Sequence, residues 1–350
     1  MVGDCYLAQG RHVGLSLKCR GHGTPYPQVQ IPQNMSETML TKIRIGHSPD
    51  ADDAFMFYAI AKGKIPLDGF EVKHVIEDIE TLNLRALQLP SPTVRPSQSS
   101  SVGARSPRSV GGETPPLPLE VTALSCYAFG LVSDRYQLLP YGASVGDNYG
   151  PVVVGKTRGN IRGKRIAVPG RYTTAYLVLQ LYEKDFRPVF TPFEKIFDAV
   201  RNGDADFGLL IHEGQLTYSE LGFEKIVDLG EWWHQEFGLP LPLGINAIRR
   251  DLAEEVKSRF NRLFLSSIDY AMTHRPEAIE YALEFGRGID PKKGDRFVGM
   301  YVNDYSLDLG EKGLRGLSVL YERAYKKSLL PSPVKSEVYE PFSRKKSLKS

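Results

Sequence analysis

Cysteine is scarce here: three in 350 residues, at Cys5, Cys19 and Cys126, with no CxxC spacing. An odd, scattered count excludes a disulfide framework and argues for a reducing compartment. Long apolar runs are missing as well. No stretch approaches the roughly 20 residues that span a bilayer. Near the start, Val13–Leu17 is interrupted by Gly14 and Ser16, so no signal-peptide core is read either. Charge of one sign is not concentrated. The formal net charge is +3, and much of the excess lies in Arg344, Lys345, Lys346 and Lys349, which read as a solvated tail over 332–350 rather than a nucleic-acid footprint. Glycine-rich phosphate loops of the GxGxxG or Walker kind are lacking, as are HxxxH and CxxC ligand sets. What these absences leave is a cytoplasmic globular protein acting on a small molecule, with no nucleic-acid or membrane partner, no metal and no redox cofactor expected.

What is present has a clear organisation. Hydrophobic residues make up 41% and charged residues 24%, enough for a sizeable core. Residues 1–40 carry scattered Gly, Pro and Gln without a period and are expected to be a disordered leader. Residues 89–118 alternate serine and proline with almost nothing large and apolar to bury, so they are expected to be a disordered insert in a finished fold. Elsewhere, apolar runs of strand length alternate with helix-period segments. Strands are predicted at Lys42–Gly46, Phe70–Ile76, Val121–Leu124, Pro151–Lys156, Arg165–Val168, Pro188–Thr191, Asp206–Ile211 and Leu243–Arg249. Helices are predicted between them, and from Asp251 to about Ser328 the chain reads as mainly helical. That alternation implies parallel sheets with right-handed crossovers. Polar, glycine-containing breaks at Lys156–Lys164 and Gly238–Gly244 suggest a two-stranded hinge. One lobe is then 41–154 plus 243–331 and the other 155–242, with ligand expected at strand carboxyl ends across a cleft.

Few residues at those strand ends can carry chemistry. His212 follows the apolar strand Phe207–Ile211 and precedes Glu213, which puts an imidazole where ligands bind and where it can take a proton near neutral pH. It could equally cap the next helix. His47, at another strand end, competes with it, whereas His74 and His234 read as structural. Thr173 and Thr174 follow the turn Pro169-Gly170-Arg171-Tyr172 and open a helix; hydroxyls, free N–H groups and the helix dipole make an anion seat there, unless one threonine simply caps the helix. Ser125 stands in the same relation to the helix after Val121–Leu124, with no GxSxG elbow around it. Asp50, Asp52 and Asp53 read as first-turn acids that complement the helix dipole. Gly142, Gly146 and Gly150 suggest a mobile segment near the hinge. Trp232 and Trp233 read as core or as a flat surface for a ring.

These residues sit in stretches that resemble the 1,4-dihydroxy-6-naphthoate synthase family of the futalosine route to menaquinone. The matching stretches are GHSPDADDAFMFYAIAKGKI, IEDIETLNLRAL, EVTALSCYAF, YGPVVVGK, RIAVPGRYTTAYLVLQLY, GLLIHEGQLTY, VDLGEWWHQEFGLPLPLGINAIRRDL and YVNDYSLDLGEKG. The resemblance implies a two-lobed α/β fold like type II periplasmic binding proteins, and a lyase that converts cyclic dehypoxanthinylated futalosine to 1,4-dihydroxy-6-naphthoate. It implies His212 as the base, with Ala123, Leu124 and Ser125 in one lobe and Thr173 and Thr174 in the other contacting substrate. The leader and the insert have no counterpart in the family pattern. A chorismate dehydratase of the same superfamily and a non-catalytic solute-binding protein remain as rival readings. A sensor domain is disfavoured for lack of a DNA-binding helix pair.

Overall fold

The computed structural model of the protein describes residues 6–8, 16–18, 40–87, 118–285, 290–334 and 336–340. Within Met1–Met39, taken by itself, strands β1 (Tyr6–Ala8) and β2 (Ser16–Lys18) form an antiparallel pair with Tyr6 opposite Lys18. The rest of the expected leader, the expected insert apart from Pro118, and the last ten residues of the basic tail lie outside the described residues.

From Leu40 the chain first lays down β3 (Thr41–His47), α1 (Ala51–Ala61), β4 (Phe70–Ile76), α2 (Ile79–Leu87), β5 (Val121–Ser125), α3 (Cys126–Val132), β6 (Tyr136–Leu138) and β7 (Ser144–Gly146). It then builds β8 (Val152–Gly155), β9 (Arg165–Val168), α4 (Thr174–Tyr182), β10 (Arg187–Phe190), a 3₁₀ turn at Phe193–Lys195, α5 (Ile196–Asn202), β11 (Phe207–Leu210), α6 (Gly214–Thr217), β12 (Glu224–Asp228) and α7 (Leu229–Phe237). Strand β13 (Leu241–Arg249) returns, followed by α8 (Glu254–Thr273), α9 (Arg275–Leu283), α10 (Pro291–Tyr301), α11 (Asp304–Leu307) and α12 (Gly310–Lys326).

Two sheets result. One runs β4-β3-β5-β13-β6 with β7 also paired to β13; the other runs β10-β9-β11-β8-β12. Central strands β5 (VTALS) and β11 (FGLL) are buried at every position, as the largely apolar strands of covered sheets should be. Helix α12 buries Gly313, Gly316, Leu317, Leu320, Tyr321 and Ala324 at helical spacing and leaves Glu311, Lys312, Arg315 and Glu322 to solvent. Helix α1 is apolar almost all round, and is correspondingly sandwiched between its sheet and helices α8 and α9, with Phe57 stacked on Phe264 at 4.7 Å. Among the described residues no helix is long and apolar enough to cross a membrane.

The expectation of parallel sheets holds for only part of each sheet. Strands β3, β4 and β5 are parallel, as are β9, β10 and β11, but β13 runs antiparallel to β5, β6 and β7, and β8 antiparallel to β11 and β12. The reason is where each strand starts. Strands followed by a crossover helix run toward the cleft, whereas β8 and β13 have just crossed it and run away. The expected hinge positions shift for the same reason. Val152–Val154 belong to the second sheet, so the first crossing lies in 147–151, and Lys156–Lys164 instead joins β8 to β9. The return crossing is confined to 238–240, because β13 already begins at Leu241.

Candidate active site

Strand β11 ends at Leu210, and two residues later His212 turns the chain toward α6 with φ of +57°. That left-handed conformation strains a residue with a Cβ by roughly 1–2 kcal/mol, and here it swings the imidazole into the cleft. The ring is 15% exposed, with Nδ1 3.2 Å from Oδ2 of Asp50 and the Phe193 ring set edge-on at 4.9 Å. Asp50 occupies the N-cap position of α1 but makes no side-chain cap. The expectation that it serves only the helix N-terminus is therefore corrected: its carboxylate, 3% exposed, crosses to the other lobe and meets His212.

The neighbouring acids have separate partners. Asp53 Oδ2 accepts the Ser48 N–H at 2.8 Å and folds the Ser48-Pro49-Asp50 turn onto the first turn of α1. Asp52 Oδ2 accepts from Ser144 Oγ at 3.0 Å. Burial, with the charges of Asp53 and Asp50 added, pushes the Asp52 carboxyl up to about 7, against the pull of His212 and the Ser144 hydroxyl. Burial likewise raises Asp53, opposed by its bonds from Ser48. Ser144 also stands in Gly142-Ala143-Ser144-Val145-Gly146, a GxSxG spacing, yet it opens strand β7 with no helix behind it and so forms no nucleophile elbow.

His47 drops out of contention. It is buried, stacked on Phe57 at 4.9 Å, and hydrogen-bonded through Nδ1 to the Ser48 carbonyl and through Nε2 to His74 Nδ1, both at 3.0 Å. Burial lowers its pKa, and burial with the neighbouring His47 takes His74 down to about 4. His234 lies partly exposed beside Asp147 and does not line the cleft.

The six residues that the resemblance implies meet in one cleft: His212 from the second lobe, Ala123, Leu124 and Ser125 at the end of β5, and Thr173 and Thr174 at the start of α4. The hydroxyls do more than cap. Ser125 Oγ accepts from the Ala128 N–H as N-cap of α3 and donates to the Tyr172 carbonyl across the cleft. Thr173 Oγ1 caps α4 by accepting from Tyr176 N–H at 3.2 Å and donates to the Gly170 carbonyl. Thr174 Oγ1 donates to the Leu243 carbonyl at 2.6 Å and accepts from the Tyr127 N–H at 3.3 Å. Two of the three hydroxyls thus hold the lobes together, and a substrate has to replace those bonds or use the first-turn N–H groups of α4, which no helical carbonyl satisfies.

Several cleft residues escaped the sequence reading. Tyr301 on α10 donates to Gln215 Oε1 at 2.7 Å, and both line the cleft with Ser144 and Asn246. Gln215 sits in the quoted HEGQLTY stretch, but nothing in its spacing marked it. Arg171 points away from this chemistry, its guanidinium 4.4 Å from the Phe190 ring centroid. Trp233 is fully buried with its indole N–H on the Pro240 carbonyl, Trp232 lies edge-on to Tyr182, and neither lines the cleft. The three glycines near the crossing serve close packing: a Cβ on Gly146 would lie 2.1 Å from the Tyr149 carbonyl oxygen, and one on Gly142 would meet the Phe264 ring at 2.5 Å. Among the described residues, no group of three or more His, Cys, Asp or Glu is arranged to hold a metal ion.

The sequence pattern of a family described as menaquinone biosynthesis matches residues 43–90 and 117–326. The chain belongs to the menaquinone biosynthesis family. Its relatives in Thermus thermophilus and Streptomyces coelicolor are both 1,4-dihydroxy-6-naphthoate synthases. The first is 37% identical over 295 residues, spanning 83% of this chain and 97% of that protein; the second is 32% identical over 298 residues, spanning 83% and 95%. A solved protein of Archaeoglobus fulgidus, 48% identical, superposes with a TM-score of 0.72 over 82% of this chain and 98% of that one. The alkanesulfonate-binding protein of Xanthomonas axonopodis shares only 12% identity but a TM-score of 0.59 over 85% of this chain and 98% of its own. That likeness shows the fold: the two-lobed binding-protein architecture expected from the resemblance is the one observed. The menaquinone-family match breaks off between residues 90 and 117, across most of the serine- and proline-rich segment, and begins only at residue 43.

Proposed function

We propose that this member of the family is a lyase that forms 1,4-dihydroxy-6-naphthoate from cyclic dehypoxanthinylated futalosine, with His212 as the base. The observation that carries the reading is the His212–Asp50 pair at 3.2 Å in a cleft shared with Ser125, Thr173 and Thr174. A carboxylate on Nδ1 holds that proton in place, leaves Nε2 as the basic nitrogen and stabilises the imidazolium that forms when a proton is taken. Removing a proton from carbon builds negative charge, which the α4 N-terminus and the cleft hydroxyls are placed to receive. Aromatisation of the new ring then favours departure of the sugar-derived fragment. Closing the lobes excludes water and brings His212 and the hydroxyls to one substrate.

Incubating purified protein with the cyclic futalosine derivative, and following the naphthoate chromophore, tests the reading. His212→Ala should lower kcat on the order of a thousandfold with KM within about tenfold. Undiminished turnover in that variant removes the assignment. Turnover of chorismate alone would favour the dehydratase, and recovery of ligand bound but unchanged would favour a solute-binding protein.

A further inference from the structure

The turn just before the anion seat expected at Thr173 and Thr174 holds a carboxylate of its own, and the chain itself supplies it. Arg171 N–H donates to Glu80 Oε1 at 2.7 Å, and Tyr172 N–H lies 3.2 and 3.1 Å from Oε1 and Oε2 of the same group. Glu80 belongs to α2 of the first lobe, whereas the turn follows β9 of the second. Asn83, three residues on and therefore on the same helix face, completes the junction. Its Nδ2 donates to the Tyr172 carbonyl at 3.3 Å, and its Oδ1 accepts the Ser125 N–H at 3.1 Å. Gly170 makes the approach possible, since a Cβ there would lie 2.6 Å from the Glu80 carboxylate. Helix α2 has no local need of this carboxylate, because Asp78 already accepts the Thr81 N–H at 3.1 Å. Bringing a carboxylate out of water onto another lobe costs free energy, and what it brings in return is a fixed relation between two substrate-facing elements.

We propose that Glu80, with Asn83, is a positioning residue: it draws the Pro169–Tyr172 turn onto α2, sets Ser125 and Thr173 on either side of the cleft, and so makes lobe closure part of substrate binding. This rests on the reading that Ser125 and Thr173 contact substrate. Two backbone N–H groups donating to a carboxylate, less its desolvation, correspond to an effect on the order of tenfold.

The test joins two measurements on the full chain, its Glu80→Ala variant and its Glu80→Gln variant: amide hydrogen exchange at Arg171 and Tyr172, and steady-state kinetics with the cyclic futalosine derivative. In Glu80→Ala the two amides should exchange on the order of tenfold faster and KM should rise by a similar factor, with kcat within about threefold. Glu80→Gln keeps an acceptor oxygen and should restore both. A fall in KM would overturn the proposal by making Glu80 a tethered competitor for the substrate's place. Unchanged KM, or loss of thermal stability with unchanged KM, would equally overturn it by leaving Glu80 a merely structural role. Should the parent protein not turn over the substrate, the functional reading fails, and the exchange arm still decides the brace: amides unprotected in the parent, or equally protected in Glu80→Ala, sink it.

Discussion

Replacing Asp52 with Asn changes one proton and almost nothing else. The Asn oxygen can still accept from Ser144 Oγ, which lies 3.0 Å from the present carboxylate. In the folded protein Asp52 is pushed from 3.8 to about 7, first by burial and then by Asp53 and Asp50. A folded-state pKa above the unfolded one means that the native state holds the proton more tightly. The stability this provides is complete below about pH 4 and is lost as the pH rises through about 7. Each unit is about 1.36 kcal/mol, so a shift of about three units costs the ionised protein up to ~4 kcal/mol above neutrality. Asp53 lies in the same cluster and is also raised, taking up part of that proton uptake, so D52N should recover roughly 2–4 kcal/mol at pH 8. Urea unfolding of parent and variant at pH 4.5, 6 and 8 reads this directly. The variant should gain least at pH 4.5, and its advantage should grow toward pH 8. A variant no more stable than the parent at pH 8, or one whose advantage grows as the pH falls, would refute the argument.

Other perturbations follow from particular contacts. Asp50→Asn should reduce kcat on the order of a hundredfold with little change in KM, because His212 loses the carboxylate that holds Nδ1–H and stabilises the imidazolium; unchanged kcat would make the pair ornamental. Thr174→Val removes the donor to the Leu243 carbonyl and the acceptor of the Tyr127 N–H, and should cost about 1–3 kcal/mol in chemical denaturation. Gly230→Ala would place a Cβ 2.0 Å from the backbone of Tyr149 beside the first crossing. It should destabilise by about 3 kcal/mol or more, seen as a lower melting temperature, and an unchanged melt would show that the crossing yields freely.

Elements with a strong period were legible. The strands Phe70–Ile76 and Arg165–Val168 appear with the bounds expected, and a helix, Ile79–Leu87, follows the first. Short or half-exposed elements were not. Strands Tyr136–Leu138 and Ser144–Gly146 hold three residues each, too few for any alternation to register, and they exist because β13 offers an edge to pair with. Strand Glu224–Asp228 carries charge at three of its five positions, and its pairing with β8 organises it. Strand direction was invisible for a different reason: a strand reads the same either way, and only the crossing between lobes makes β8 and β13 antiparallel to their neighbours.

The candidate site divides along the same line. Where a strand ends and a helix begins is written locally, in the apolar run before His212, the Ser125 cap and the Pro-Gly turn before Thr173, so these positions could be named from the chain alone. Whether they face one another could not, because that depends on contacts between segments far apart in the chain, such as Ser125 with Tyr172, 47 residues on. Folding alone brought Asp50 to His212, assigned Asp53 to Ser48 and Asp52 to Ser144, sent His47 into the core, and placed Glu80 in the seat that residues 169–172 make. Local sequence sets the conformation of each turn, and only packing decides which charge arrives to meet it.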